Sequence, residues 1–370
     1  MRRLVIIAPH YSVTERNGAN IYCEWLAECA RHAGFEPWIL GEAAFGPVQQ
    51  RSRAEALLVA LVTRSNYYMQ RLVPRAWGQG LKEFELRSDD ILIFSFVYTY
   101  LALQAVLPNR YSRFWVLTHN YDPDVFDGWR DRGAIRSILG RWFRSDYLRR
   151  IRRSALSGVD LISISDADKN AFAAVLGRPG HTLRPGGRLP YAVRVVQPRI
   201  GGVRNLCFLG SLSTPFNVDA LHFFGESVEP ELLRLGLEFS FTVFGSRPAS
   251  DVIKLAAEKG WRLIADLSDE ELDVSLCEMD AAILPFRHTQ GVKLKLNHFL
   301  SVGLPVVGTA VFEVAESKFC HFSNDLAQWV DFIDSVANHP AASKVLHAGY
   351  QRIRAADLNE AAAVLRTCAD

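Results

Sequence analysis

Short apolar runs alternate along this chain with longer stretches of helical spacing, from one end to the other. Residues 4–8 (LVIIA) predict a first strand, residues 21–33 an amphipathic helix and residues 37–40 the next strand. Apolar runs at 91–94, 114–117 and 161–164 predict further strands, and Ser165-Asp166 after the last of them predicts a helix cap. The second half repeats the scheme. A strand is expected at 206–209, a tight turn at Gly210-Ser211, a helix at 217–224 and a strand at 239–244 followed by Gly245-Ser246. Ser268 to Glu271 reads as a capping box before a helix ending near Met279, and residues 281–284 as a strand ending at Pro285. Strands separated by helices in this way predict parallel sheets of the α/β class. Residues 178–202, rich in Pro, Gly and Arg, predict a linker. The expected organisation is two Rossmann-like domains at 1–190 and 200–345, with a helix at 346–370 packing back toward the first.

The stretch 290–309, QGVKLKLNHFLSVGLPVVGT, adds chemistry to this pattern. Lys293 and Lys295 open an apolar helical run that stops at Gly303, and Pro305-Val306-Val307 then starts a buried strand. Ligands of parallel sheets gather near strand ends and helix N-termini, where backbone N–H groups and the helix dipole favour anions. Two lysines there point to a diphosphate. Gly210, Ser211 and Ser213 offer backbone and hydroxyl donors ahead of a helix, which suits phosphate oxygens, although an ordinary strand–helix turn uses the same residues. Gly18 permits close approach of backbone to a ligand, or serves a simple turn.

Composition narrows the class. With 370 residues, 49% hydrophobic and 22% charged, the chain reads as an ordinary soluble α/β enzyme of two domains. Its six cysteines are scattered with no C-x-x-C pair, which argues against a zinc site or disulfide scaffold and fits a reducing, cytoplasmic compartment. The opening MRRLVIIAPH has too short an apolar run for a signal peptide. Residues 91–107 are interrupted by Ser95, Thr99 and Gln104 and fall short of the about 20 residues of a membrane span, so a strand and a helix are expected there. A dehydrogenase would need G-x-G-x-x-G after a strand; the chain has HYSVTERNGAN and GSLSTPFN instead.

Net charge is only +2 but unevenly spread. Residues 1–160 hold 22 Lys and Arg against 16 Asp and Glu, and residues 130–153 alone hold nine arginines against two aspartates. A solvated helix face is the ordinary use of such a run. Interleaved with Trp142, Phe143, Tyr147, Leu148 and Ile151, it is expected instead to meet an anionic membrane surface or polyanionic acceptor, the aromatics lying at the headgroup boundary. No nucleic-acid partner is expected.

Several strings resemble the GT-B glycosyltransferases in matching order. Residues 290–309 are similar to their donor-binding pattern G-x-K-x-K-x-x-E-x-x-x-x-G-x-P-V-V, with His298 in place of Glu and Gln290 where a partner Glu usually stands. NGAN resembles the N-terminal glycine loop, THN the segment whose His contacts the transferred sugar, and VDLISISDADKNAF the strand–helix closing the first domain. LRPGG resembles the interdomain crossing, and LCFLGSLSTPFNVDALHFF the opening of the nucleotide-sugar domain in a variant having P-x-N-x-D. RNGANIY and the Lys295 segment are further similar to the xanthan glucuronosyltransferase group, which extends polyprenyl-linked oligosaccharides at a membrane.

The resemblance implies a GT-B architecture, two Rossmann-like domains facing a cleft, the first binding acceptor and the second a nucleoside diphosphate sugar of UDP or GDP type. It implies a metal-independent hexosyltransferase acting on a saccharide or polyprenyl-linked acceptor in bacterial polysaccharide or glycolipid synthesis, with no separate cofactor. Lys295 and Lys293 would meet the diphosphate, and Gln290 and His298 would accept hydrogen bonds from ligand hydroxyls. His119 would bond a sugar hydroxyl or take a proton. Asp122 or Asp124 would serve as general base, unless they only cap the following turn. Two alternatives stay open: a nucleotide-sugar epimerase of the same fold, and a degenerate subunit that binds nucleotide sugar without turnover.

Overall fold

A computed structural model describes residues 2–8, 11–12, 18–41, 55–56, 58, 84–103, 114–119, 134–155, 159–196, 202–287, 294–311, 319–337, 339 and 341–369. Asp122, Asp124, Gln290 and Lys293 lie outside these residues. The chain divides into two compact units, one of residues 1–185 with 356–370 and one of residues 186–355.

The first unit is built on a parallel sheet in the order β2-β1-β3-β4-β5-β6. Its strands are β1 (Arg3–Ile7), β2 (Glu36–Leu40), β3 (Ile91–Ser95), β4 (Phe114–Thr118), β5 (Asp160–Ser163) and the two-residue β6 (His181–Thr182). Successive side chains alternate between faces, so each strand feeds two cores. Leu4, Ile6, Ile91, Ile93, Trp115 and Leu117 pack under α1 (Gly18–His32) together with Ala361 and Leu365 near the C-terminus. Val5, Ile7, Leu92, Phe94 and Val116 face the other way and share a core with Phe143, Tyr147, Ile151 and Phe172. The apolar stretch from Ile91 resolves into β3 followed by α2 (Val97–Leu103). At the start of β1, Arg3 and Asp90 form a buried two-pronged ion pair at 2.8 and 2.6 Å.

Helix α3 (Ala134–Ala155) carries the described part of the arginine run. Its residues at intervals of four, Phe143, Tyr147 and Ile151, are buried in the core. The expectation that these rings sit at a lipid headgroup boundary is therefore corrected: they hold the helix to its own sheet, and of the aromatics there Trp142 is the exposed one. Helix α4 (Asp166–Leu176) starts at Ser165, whose Oγ accepts from Asp168 N, and stops at Gly177 in the left-handed region.

In the second unit a six-stranded parallel sheet has the order β12-β11-β10-β7-β8-β9. Its strands are β7 (Arg204–Ser211), β8 (Phe239–Ser246), β9 (Arg262–Ala265), β10 (Ala281–Leu284), β11 (Val306–Gly308) and β12 (Cys320–Phe322). Helix α5 (Pro215–Phe223) continues through a π-helical turn at Phe224–Val228 into α6 (Glu229–Arg234). Then come α7 (Ser250–Lys259), α8 (Asp269–Cys277), α9 (Leu294–Val302), α10 (Leu326–Ala337) and α11 (Ala342–Ala369), whose last turns belong to the first unit. The capping box at α8 is complete: Ser268 Oγ accepts from Glu271 N, and Glu271 accepts from Ser268 N at 2.9 Å.

The expected turn at Gly210-Ser211 is displaced. Both residues stay in β7, paired with Gly245 and Ser246 of β8, and the chain turns at Leu212-Ser213 instead. The reason is steric, since a Cβ on Gly245 would lie 1.9 Å from the Gly210 carbonyl oxygen. The two glycines let the strands stay paired to their carboxyl ends.

Candidate functional site

In each unit the strand order reverses at one point, and such a reversal opens a crevice at the carboxyl ends of the strands. In the second sheet the reversal lies between β7 and β10, which run in parallel with their connections leaving in opposite directions. Helix α5 follows β7 and helix α9 follows the exit of β10, so their first turns arrive at that crevice.

Lys295, in the first turn of α9, is the central cation there. Its Nζ donates to Asn217 Oδ1 at 2.7 Å and lies 4.7 and 4.5 Å from the ring centres of Phe208 and Phe286. Phe208 comes from β7 and Phe286 from the residue pair after β10, so both flanking strands furnish a wall. The Asn217 Nδ2 group donates to Ser211 O at 2.8 Å. Gly210 makes room for that amide, because a Cβ there would lie 2.7 Å from Asn217 Nδ2. Its role is thus to seat a side chain of its own chain, a reading the sequence did not offer. Ser213 is exposed in the turn before α5.

The string P-x-N-x-D explains itself at this point. Asn217 receives Lys295, and Asp219 two positions on receives Arg287 at 2.5 Å, whose guanidinium also covers Phe223 at 5.4 Å. Both acceptors stand in the first two turns of a helix whose N-cap residue, Thr214, makes no side-chain cap bond. Cations beside a helix N-terminus run against its dipole, whose N-terminal end is already positive. Asn217, Asp219 and the rings offset part of that cost. What remains is a positively polarised helix end that an anion would neutralise.

His298, three residues after Lys295, is held differently. Its Nε2 lies 2.6 Å from Asp273 Oδ1, and Arg188 grips both oxygens of the same carboxylate at 2.7 and 2.8 Å. Tyr191 N donates to Asp273 Oδ2 at 2.7 Å. Asp273 is fully buried; burial pushes its carboxyl up, but the bonds from His298 and Arg188 outweigh that and hold it below the usual carboxylate range. Facing a carboxylate, Nε2 carries the proton, which leaves Nδ1 as the nitrogen with which neutral His298 could accept from a ligand. Neither Arg188 nor Asp273 announced itself in the sequence, because the three partners are separated by 85 and 25 residues.

The first sheet reverses between β1 and β3, and the sequence-derived His119 sits at the end of neighbouring β4. It is buried at 7% exposure, with Nε2 2.8 Å from Ser95 Oγ at the end of β3. Phe96 stacks on its ring at 4.0 Å and Tyr22 of α1 meets it edge-on at 5.4 Å. Phe96 holds φ +74°, a left-handed backbone that non-glycine residues rarely adopt and that clusters at functional sites. Gly18 is exposed at the first position of α1.

On α3, Arg141, Arg144, Arg149, Arg152 and Arg153 line a groove of about 450 Å³ with Ser145 and Leu148, while Phe143 and Tyr147 are buried. Arg150 pairs with Asp146 at 2.8 Å. Arg141, Arg149, Arg152 and Arg153 have no carboxylate partner among the described residues. No helix among those residues is long and apolar enough to cross a membrane.

Comparison with known proteins agrees with this geometry. Residues 203–338 match the family model for glycosyl transferases group 1. No curated protein sequence matches the chain. Among solved structures, sucrose-phosphate synthase from Thermosynechococcus elongatus is similar at 11% identity and a TM-score of 0.63, covering 99% of both chains. The lipopolysaccharide outer core galactosyltransferase WaaB is similar at 14% identity and a TM-score of 0.56, over 97% of this chain and 98% of that one. TarM of S. aureus, solved with fondaparinux, alpha-GlcNAc-glycerol and UDP, is similar at 12% identity and a TM-score of 0.52 over 77% of this chain, which spans 57% of the TarM chain. The switch-point site with Lys295 falls inside the residues that match the glycosyl transferases group 1 model, and the chain has the GT-B fold of these solved structures.

Proposed function

We propose that the chain is a glycosyltransferase moving a sugar from a nucleoside diphosphate sugar, of UDP or GDP type, to a saccharide or polyprenyl-linked saccharide acceptor. One observation carries this reading: the Lys295 ammonium and the N-terminal turn of α5 converge on the switch point of the group 1 domain. A departing diphosphate gains negative charge as the glycosidic bond breaks, and a fixed cation with oriented backbone dipoles lowers that barrier most in a water-poor crevice. Lys295 is pre-aimed by Asn217 and two rings, so little reorganisation accompanies the step. In the first unit His119 supplies a rigid polar group for the sugar. Gln290 and Lys293 toward the donor, and Asp122 or Asp124 toward the acceptor proton, complete the proposed set without a metal.

The test is incubation with UDP-, GDP- and dTDP-sugars, with and without a lipid-linked saccharide acceptor. Acceptor-dependent release of nucleoside diphosphate is expected, and His119→Ala should lower turnover far more than donor binding. Interconversion of the donor sugar without acceptor would make the chain an epimerase, and binding with no turnover a non-catalytic partner subunit. Either result overturns the proposal.

The exposed arginine face of α3 supports a second part of the reading, peripheral attachment to an anionic membrane at the cytoplasmic side. A basic residue near such a surface contributes about 1 kcal/mol, decaying within a Debye length of about 8–10 Å. Sedimentation with liposomes should therefore require anionic lipid and weaken with salt. It should fade when Arg141, Arg149, Arg152 and Arg153 become Gln. Equal binding to neutral vesicles would remove the electrostatic explanation.

A further inference from the structure

A thiol, a hydroxyl and an imidazole stand in line at the carboxyl ends of β3 and β4. Cys23 Sγ of α1 lies 3.8 Å from Ser95 Oγ, which lies 2.8 Å from His119 Nε2. Their exposures are 1%, 0% and 7%, so water does not compete for these bonds.

The direction of the line follows from what each group can give. Burial pushes the Cys23 thiol up to about 12, so it keeps its hydrogen, and sulfur is a weak acceptor. The thiol therefore donates to Ser95 Oγ. A hydroxyl has one hydrogen, and the imidazole nitrogen is the better acceptor within its reach. The reverse arrangement would spend the Ser95 hydrogen on sulfur. It would also leave the thiol hydrogen without an oxygen among the described residues.

We infer that Ser95 is a positioning residue for His119, locking the imidazole in the tautomer that carries its proton on Nδ1 and accepts at Nε2. The ring cannot swivel out of this arrangement freely, since Phe96 covers one face and Tyr22 meets it edge-on. The Phe96 backbone that places this ring is itself tied down by its N–H, which donates to Leu117 O at 2.8 Å. Whatever His119 presents through Nδ1 is consequently a hydrogen-bond donor. It polarises or orients an oxygen, and it does not take the acceptor's proton, because the one nitrogen able to accept is held by Ser95. The general base of the transfer is then a different group. That consequence rests on the transferase reading; the tautomer itself does not.

Nitrogen-15 spectra of the full chain with labelled histidine read the tautomer directly. The His119 signals are identified by their loss in His119→Gln. At mildly alkaline pH wild type should show a pyrrole-type shift at Nδ1 and a pyridine-type shift at Nε2. Ser95→Ala should release the lock, moving the signals toward the Nε2–H form that free imidazole side chains favour in water. Ser95→Thr, which keeps the hydroxyl, should restore the wild-type pattern. A pyrrole-type Nε2 in wild type, or a pattern unmoved in Ser95→Ala, would overturn the inference. The wild-type spectrum needs no variant to fold and no turnover, so it stands or falls separately from glycosyl transfer.

Discussion

Asp273→Ala is expected to destabilise the second unit by about 3–5 kcal/mol, the usual cost of stranding a charge whose buried partner is removed. Asp273 is fully buried and takes four hydrogen bonds, two from Arg188 and one each from His298 and Tyr191 N. Its loss leaves the Arg188 guanidinium, itself 23% exposed, without the carboxylate it grips with two bonds, and with Asp269 at 3.5 Å as its remaining acid. Urea unfolding followed through Trp261 and Trp329 would measure the change. Replacing Arg188 by Met in the same background should recover only part of the loss, because it removes the stranded guanidinium while Asp269, 3.5 Å from it, loses its cation in turn. A decrease under about 1 kcal/mol would show that the guanidinium finds water, and that the carboxylate is not what holds α8, α9 and the 186–191 segment together. The pH dependence has a fixed sign. The folded carboxyl sits below its unfolded value of about 3.9, so its contribution is full above that value. It is lost as pH falls through the depressed folded value.

Lys295→Ala should weaken binding of UDP or GDP by about 1.5–3 kcal/mol, the worth of a charge-assisted hydrogen bond. That is roughly a 10- to 150-fold rise in dissociation constant by titration calorimetry. Lys295→Arg should not rescue fully, since the ammonium fits between Phe208 and Phe286 as a compact charge and a planar fork does not. Asn217→Ala is the companion variant. It removes one hydrogen-bond acceptor from Lys295 and leaves the space beside Gly210 unfilled while the ammonium stays, so affinity should fall less than with loss of the lysine itself. Unchanged affinity in Lys295→Ala would move the diphosphate away from this lysine.

Legibility in the sequence tracked the range of the interaction. The strands from Ile91 and from Ala281 were readable because a strand covered on both faces must be apolar at every position. The α8 capping box was readable because its partners are three residues apart. Gly210 was misplaced into a turn because its reason for being glycine, the amide of Asn217 and the neighbouring Gly245, is not local. The arginine run was readable as charge, but which of its aromatics are buried and which stay exposed depended on the sheet beneath α3.

By itself, then, the sequence determined the α/β class, the positions of most strands and the lysine-led segment at the second switch point, since local periodicity and helix-end chemistry carry those features. Only the tertiary structure decided that the Asn and Asp of P-x-N-x-D each receive a cation, that His298 and Arg188 share Asp273, and that Ser95 faces His119. Each of these contacts joins residues 24 to 85 positions apart. Strand order brings them together, and no local pattern along the chain encodes strand order.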